Sequence, residues 1–131
     1  NEEANIQAIL ESISSQELDK FELLEIIVVS SGSTDSTEKI VNSFMESDSR
    51  VSLIVESSRS GKAGAINLFL KAAVGEICII QSADTVQLEG TLMEICSPFL
   101  DDEVGAVAGR PKQVKTRQRR LWPNFWNMGC W

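Results

Sequence analysis

The chain has 131 residues, 43% apolar and 24% charged, with a formal net charge of −7 and no histidine. These values describe one soluble domain with enough apolar residues to bury a core. They argue against a bilayer-spanning segment, which needs a run of about 20 apolar residues. They also argue against a zinc site, because the three cysteines lack metal-ligand spacing.

The polar, acidic first residues do not read as a signal peptide. Ile6, Ile9, Leu10 and Ile13 stand at helical spacing after Asn1-Glu2 and predict a first helix. Glu25-Ile26-Ile27-Val28-Val29-Ser30 is a β-branched run and predicts a strand. The strand breaks at Ser31-Gly32-Ser33-Thr34-Asp35-Ser36, and a helix with Thr37, Ile40, Val41 and Phe44 follows. Ser33, Thr34 or Asp35 can cap that helix, with Glu38 in a capping-box position after Asp35. The Gly-Ser loop is either an ordinary turn or a place where backbone N–H groups meet a phosphate or sugar.

Val51–Val55 predicts a further strand, and a helix is expected from about Ala63 to Ala73, closed by Gly75. Gly61-Lys62 does not form a Walker motif, which needs glycine at Glu56 and Ser or Thr at Ala63. Lys62 stands where it can meet an anion at the helix start, or it is a solvated surface lysine.

Ile77-Cys78-Ile79-Ile80 reads as a strand buried on both faces, stopping at Gln81-Ser82-Ala83-Asp84. In open α/β sheets ligands bind beyond the carboxyl ends of strands. Asp84 there either holds a divalent metal and, through it, a phosphate, or caps a turn. Cys78 and Cys96 lie in apolar runs and are expected as reduced core residues. Leu88 to Leu100 predicts a helix broken by Pro98, Asp101-Asp102-Glu103 a solvated turn, and Val104–Gly109 a last strand. The alternating order predicts a three-layer α/β/α sandwich with a mostly parallel sheet.

Taken in order, these segments resemble family 2 glycosyltransferases, which have a nucleotide-diphospho-sugar transferase-like α/β fold. Asn1-Glu2 looks like the end of the family's first-strand motif, and Glu25–Thr37 like its second-strand block. Gly61-Lys62 with Ala65 and Asn67 looks like the Gly-Lys-x-x-Ala-x-Asn block. Gly75-Glu76-Ile77 through Ser82-Ala83-Asp84 looks like the strand ending in Asp-x-Asp. Gly105-Ala106-Val107 with Gly109-Arg110 fits the strand that follows.

The resemblance implies a donor-binding region over residues 1–111. Glu2, Ser30 and Ser31 would border the nucleotide base and ribose, and Lys62 the base or diphosphate. Ser82 and Arg110 would belong to the same nucleotide-sugar site. Asp84 would bind the Mn²⁺ or Mg²⁺ that bridges the diphosphate, where a hard cation offsets the charge of the departing group. Two departures stand out. The family commonly has an Asp pair at Ser30-Ser31 and an Asp at Ser82; serine can hydrogen-bond a ribose hydroxyl but adds no charge.

The family's first strand is expected before Asn1 and its catalytic base well beyond Asp84, so the sequence reads as a fragment in which the catalytic residue is unknown. The implied function is inverting, metal-assisted transfer of a sugar from a nucleotide-diphosphate-sugar to an acceptor hydroxyl. The alternative is a non-catalytic nucleotide-sugar-binding or scaffold domain. A nucleotidyltransferase would need a glycine-rich basic loop near the N-terminus, and none is present.

All 19 acids precede position 104, while residues 110–131 carry Arg110, Lys112, Lys115, Arg117, Arg119 and Arg120. The basic stretch of residues 112–131 includes Trp122, Phe125, Trp126 and Trp131. Such a tail suits an anionic membrane surface, or packs on the domain or a further one. The acceptor implied is lipid-linked or a glycan. The acidic body argues against nucleic acid. The expected location is cytoplasmic, including the cytoplasmic face of a membrane.

Overall fold

The computed structural model describes residues 1–112. The elements run α1 (Ile6–Ser14), β1 (Ile26–Ser30), α2 (Thr37–Ser47), β2 (Val51–Val55), α3 (Gly61–Ala72), α4 (Thr91–Cys96) and a 3-10 helix at Ser97–Leu100. β1 and β2 pair in parallel, with Ile26 opposite Val51 and Ser30 opposite Val55. The connection through α2 makes them one βαβ unit, as the β-branched runs flanking a helical period predict.

Alternation along the strands sorts side chains to two faces. Ile26, Val28, Val51 and Leu53 pack with Ile6 and Leu10 of α1 and Val41 of α2. Leu10 and Val41 are the largest fully buried side chains. Removing an aliphatic side chain of that size from water stabilises a fold by about 1.5–3 kcal/mol. Ile27 and Val29 point to the opposite face, where β1 packs against α3. The helices therefore lie on both sides of the β1–β2 pair. Beyond the main core, Ile9, Leu92 and Cys96 are buried. The Gln16 side chain donates to the Leu88 carbonyl at 3.0 Å, and the Gln87 amide donates to the Ser12 hydroxyl at 3.1 Å, tying the approach to α4 onto α1.

Four expectations need correction. Ile77–Ile80 forms no strand of the sheet, and Val104–Gly109 forms none either. A strand exists through its ladder, and neither segment has a strand partner among the described residues. A cavity of about 1250 Å³ lies between Ile77–Ala83 and β1, lined by Ile27 and Val29 on one side and Ile77 and Ile79 on the other. Ile26 donates to the Arg50 carbonyl at 2.9 Å, and the Ser30 carbonyl accepts from Glu56 at 2.9 Å. In a parallel ladder this leaves the Ile27 and Val29 backbone groups aimed at the cavity instead of at β2. Ile77–Ile80 is also not buried on both faces. Ile77 and Ile79 turn inward while Cys78 and Ile80 are exposed, so only Cys96 of the two expected core cysteines is buried.

The third correction concerns α2. Ser36 is its N-cap position and makes no side-chain cap bond. Asp35, one of the expected capping residues, does bond the helix start, accepting from the Thr37 amide at 3.1 Å and the Thr37 hydroxyl at 2.6 Å, whereas Glu38 closes no capping box and accepts from Ser30. The fourth is α3, which starts at Gly61 and ends at Ala72, so Gly75 lies beyond its C-cap, Ala73. Pro98 does end α4, where the chain tightens into the 3-10 turn. The Asp101-Asp102-Glu103 turn is exposed as expected. The basic, Trp-rich tail lies outside the described residues apart from Lys112.

Candidate functional site

Two loops leave the carboxyl ends of the parallel strands, Ser31–Ser36 after β1 and Glu56–Ser60 after β2. Their first residues form a hydroxyl–carboxylate network. The buried Ser30 donates to Glu38 Oε1 at 2.7 Å and lies 3.1 Å from Ser33 Oγ. Ser31 donates to the Glu56 carboxylate, and so does Ser60, the residue before α3. Glu56 is 8% exposed. The hydroxyl of Ser31, and then that of Ser60, hold its carboxyl below the ordinary glutamate range.

The N-terminal segment joins the same end of the sheet. The Glu2 amide donates to Thr37 Oγ1 at 2.8 Å, the Glu3 amide to Asp35 Oδ2 at 3.1 Å, and the Thr34 amide to Asn1 Oδ1 at 2.7 Å. The Thr37 hydroxyl is the main reason that the Asp35 carboxyl lies below its usual range. Glu2, Ser30 and Ser31 are thereby brought to one region, with Glu2 placed by its backbone. Gly32 in the first loop and Gly61 at the start of α3 both have positive φ, 72° and 77°, a conformation that costs glycine little.

Lys62 is exposed on the first turn of α3 and lines the large cavity together with Ser82 and Ala83. Asp84 is exposed in the turn just beyond and accepts from the Thr85 hydroxyl at 3.2 Å. Arg110 is exposed near the end of the described residues. It follows Gly109, whose Cα packs toward Ile95 of α4.

Among the described residues no three His, Cys, Asp or Glu side chains gather into a metal cluster. Asp84 offers one carboxylate and Ser82 one hydroxyl. This donor set fits a hard cation that takes most of its oxygens from phosphate and water, and not an all-protein cage.

Sequence reasoning missed Glu56 and misplaced Glu38. Glu56 had one available signal, its position directly after a predicted parallel strand. It also missed Gly64, whose added Cβ would fall on the Ser60 side chain and 3.3 Å from Glu56 Oε1.

Residues 1–130 match the model of the family described as Glycosyl transferase family 2. The chain belongs to glycosyl transferase family 2. Membership carries the nucleotide-diphospho-sugar transferase-like α/β fold, with which the parallel β1–β2 pair and its flanking helices agree.

Three relatives give the range of similarity. Glycosyltransferase GlyG of Streptococcus pneumoniae is 29% identical over 89 residues, covering 68% of this chain and 30% of its own. The beta-monoglucosyldiacylglycerol synthase of a Nostoc species is 27% identical over 131 residues, covering 98% of this chain and 27% of its own. The poly-beta-1,6-N-acetyl-D-glucosamine synthase of Staphylococcus aureus is 30% identical over 94 residues, covering 71% of this chain and 23% of its own. The chain thus spans less than a third of the length of these relatives. No solved structure matches it with comparable significance.

Proposed function

We propose that this region binds the nucleotide-sugar donor of an inverting glycosyltransferase. The observation that carries this reading is the convergence of Glu2, Ser30 and Ser31 at the carboxyl ends of two parallel strands. Lys62 starts the helix after the second of them. Crevices of this kind bind nucleotides in open α/β sheets.

In the proposed reaction the acceptor oxygen attacks the anomeric carbon, and the bond from that carbon to the diphosphate breaks. The bonding pair leaves with the nucleoside diphosphate, and the acceptor proton passes to a general base that no residue of this chain is assigned. Ser30, Ser31 and Glu2 orient the nucleoside, and Lys62 presents its ammonium to the diphosphate. Asp84, with support from Ser82, would hold Mn²⁺ or Mg²⁺, whose chemistry there would be to offset the negative charge of the departing diphosphate. Arg110 is included among the donor-site residues on the family resemblance alone.

The names of the relatives support an acceptor that is a lipid or a glycan. Lipid contact through residues 112–131 is part of the proposal. No helix among the described residues is long and apolar enough to cross a membrane. A cytoplasmic setting is part of the proposal, in keeping with Cys78 and Cys96, which form no disulfide among the described residues.

Calorimetric titration with UDP and GDP, with and without Mn²⁺, tests the reading. Metal-dependent binding of one nucleotide, lost in Asp84→Ala, is the expected result. Tight binding of neither nucleotide favours the alternative of a scaffold domain.

A further inference from the structure

We propose that Glu56 is a positioning residue for donor binding: it ties the loop after β1 to the loop before α3 and turns the Ser31 oxygen outward as an acceptor for the nucleoside. The inference rests on the donor-site reading above and adds a residue that none of the family-like blocks contains.

The geometry begins with burial. A carboxylate that is only 8% exposed needs partners, and those of Glu56 are two hydroxyls on different loops. An ionised carboxylate is acceptor-only, so both hydroxyl protons must point at Glu56. Two such donors keep the group ionised at neutral pH. Ser31 therefore has its one proton engaged, and its lone pairs face away from Glu56. A hydroxyl held in this way accepts from an N–H of the base or an O–H of the ribose. It does not compete as a donor.

The second observation is Gly64. It stands one turn into α3, where any Cβ would strike the Ser60 side chain and lie 3.3 Å from Glu56 Oε1. The close approach of Ser60 and Glu56 is thus possible only over a glycine. Glycine is a poorer helix former than alanine, and the contact of Ser60 with Glu56 is the packing reason for it here.

The third observation is parallel treatment of the neighbouring serine. Ser30 donates to Glu38 Oε1 at 2.7 Å. Both serines that stand where the family commonly has an Asp pair are backed by a carboxylate, from α2 in one case and from the end of β2 in the other. The acceptor character of the two positions is kept while the charge sits one side chain further back.

Titration of UDP and GDP with Mn²⁺ into the wild type, Glu56→Ala and Glu56→Gln tests the proposal, alongside amide hydrogen exchange of the same three proteins. Wild type should bind one nucleotide. Glu56→Ala should weaken that binding about tenfold, the scale of losing one well-placed hydrogen bond. Glu56→Gln keeps an acceptor for one serine but must donate to the other, and should fall between. Exchange in Glu56→Ala should quicken in both residues 31–36 and residues 57–60, with the β1 and β2 amides unchanged.

Wild-type affinity in a folded Glu56→Ala protein overturns the proposal while the donor-site reading stands. So does unchanged exchange in either loop. Failure of the wild type to bind either nucleotide overturns the donor-site reading, and the positioning role falls with it.

Discussion

Ser30 Oγ lies 2.7 Å from Glu38 Oε1, at the point where β1 ends and the first turn of α2 faces back onto it. The contact joins a buried hydroxyl to a carboxylate eight residues away. It also determines what Ser30 can become. An aspartate there would set two carboxylates against each other in a site that is only 5% exposed at Ser30. Ser30→Asp is therefore expected to destabilise the protein by roughly 1–3 kcal/mol, the scale of an unpaired buried charge. Adding Glu38→Gln should restore most of the loss, since the amide can donate to the new carboxylate. Urea denaturation of the two single variants and the double variant measures this. Equal stability of Ser30→Asp and wild type would sink the idea.

Gly64→Ala runs against helix propensity. Alanine is the better helix former by about 1 kcal/mol. The new methyl, however, lands on Ser60 and crowds Glu56 Oε1 at 3.3 Å. A net loss of roughly 1 kcal/mol is expected, within the range for overpacking. Ser60→Gly removes the obstructing side chain, so Gly64→Ala should turn neutral or stabilising in that background. Thermal melts of the four proteins of the cycle decide it. A Gly64→Ala variant more stable than wild type would refute the packing argument.

Leu10 is 1% exposed and sits where α1 meets Ile26, Val41 and Val51. Truncation to alanine should cost about 2–5 kcal/mol, through lost transfer energy and the cavity left behind. Exposed Leu24, at 50%, is the internal control, and Leu24→Ala should cost less than about 0.5 kcal/mol. Similar losses at both positions would show that α1 does not close the core.

Asp48 and Arg50 form a 2.7 Å ion pair, and Arg50 also donates to the Ser14 carbonyl at 3.2 Å, fastening the turn before β2 to the end of α1. The Arg50 side chain holds the Asp48 carboxyl far below the usual aspartate range. A depressed carboxyl pKa stabilises the folded state above the unfolded value of about 3.9, and that contribution disappears as pH falls toward the folded pKa. Arg50 is 38% exposed, so solvent screening keeps the effect to roughly 1 kcal/mol. Asp48→Asn should lower the melting temperature by more at pH 7 than at pH 2, because the contribution shrinks below the unfolded value and vanishes only as pH falls through the folded pKa. A deficit of the same size at both pH values would rule out the ion pair as its source.

The local elements of this chain were legible in its residues. The helical spacing of Ile6, Ile9, Leu10 and Ile13 marks α1, and the β-branched runs at Ile26–Val29 and Val51–Val55 mark the strands. The ordered blocks from Asn1-Glu2 to Gly109-Arg110 pointed to the family that the whole-chain match supports. Such signals are local because helix period, strand alternation and βα turns each depend on neighbours a few residues apart.

Tertiary structure decided the rest. Ile77–Ile80 has the composition of a buried strand, but a strand needs a partner's backbone, and a cavity separates this one from β1. Glu38 reads as a capping residue by spacing, yet the packing of α2 brings it to Ser30. Glu56 carries no motif, and its partners Ser31 and Ser60 come together only because β1 and β2 lie in register and Gly64 leaves room. Periodicity records which face of an element is buried. It does not record which polar groups meet once two loops close over the end of a sheet, because those pairings depend on side-chain directions set by elements far apart in sequence.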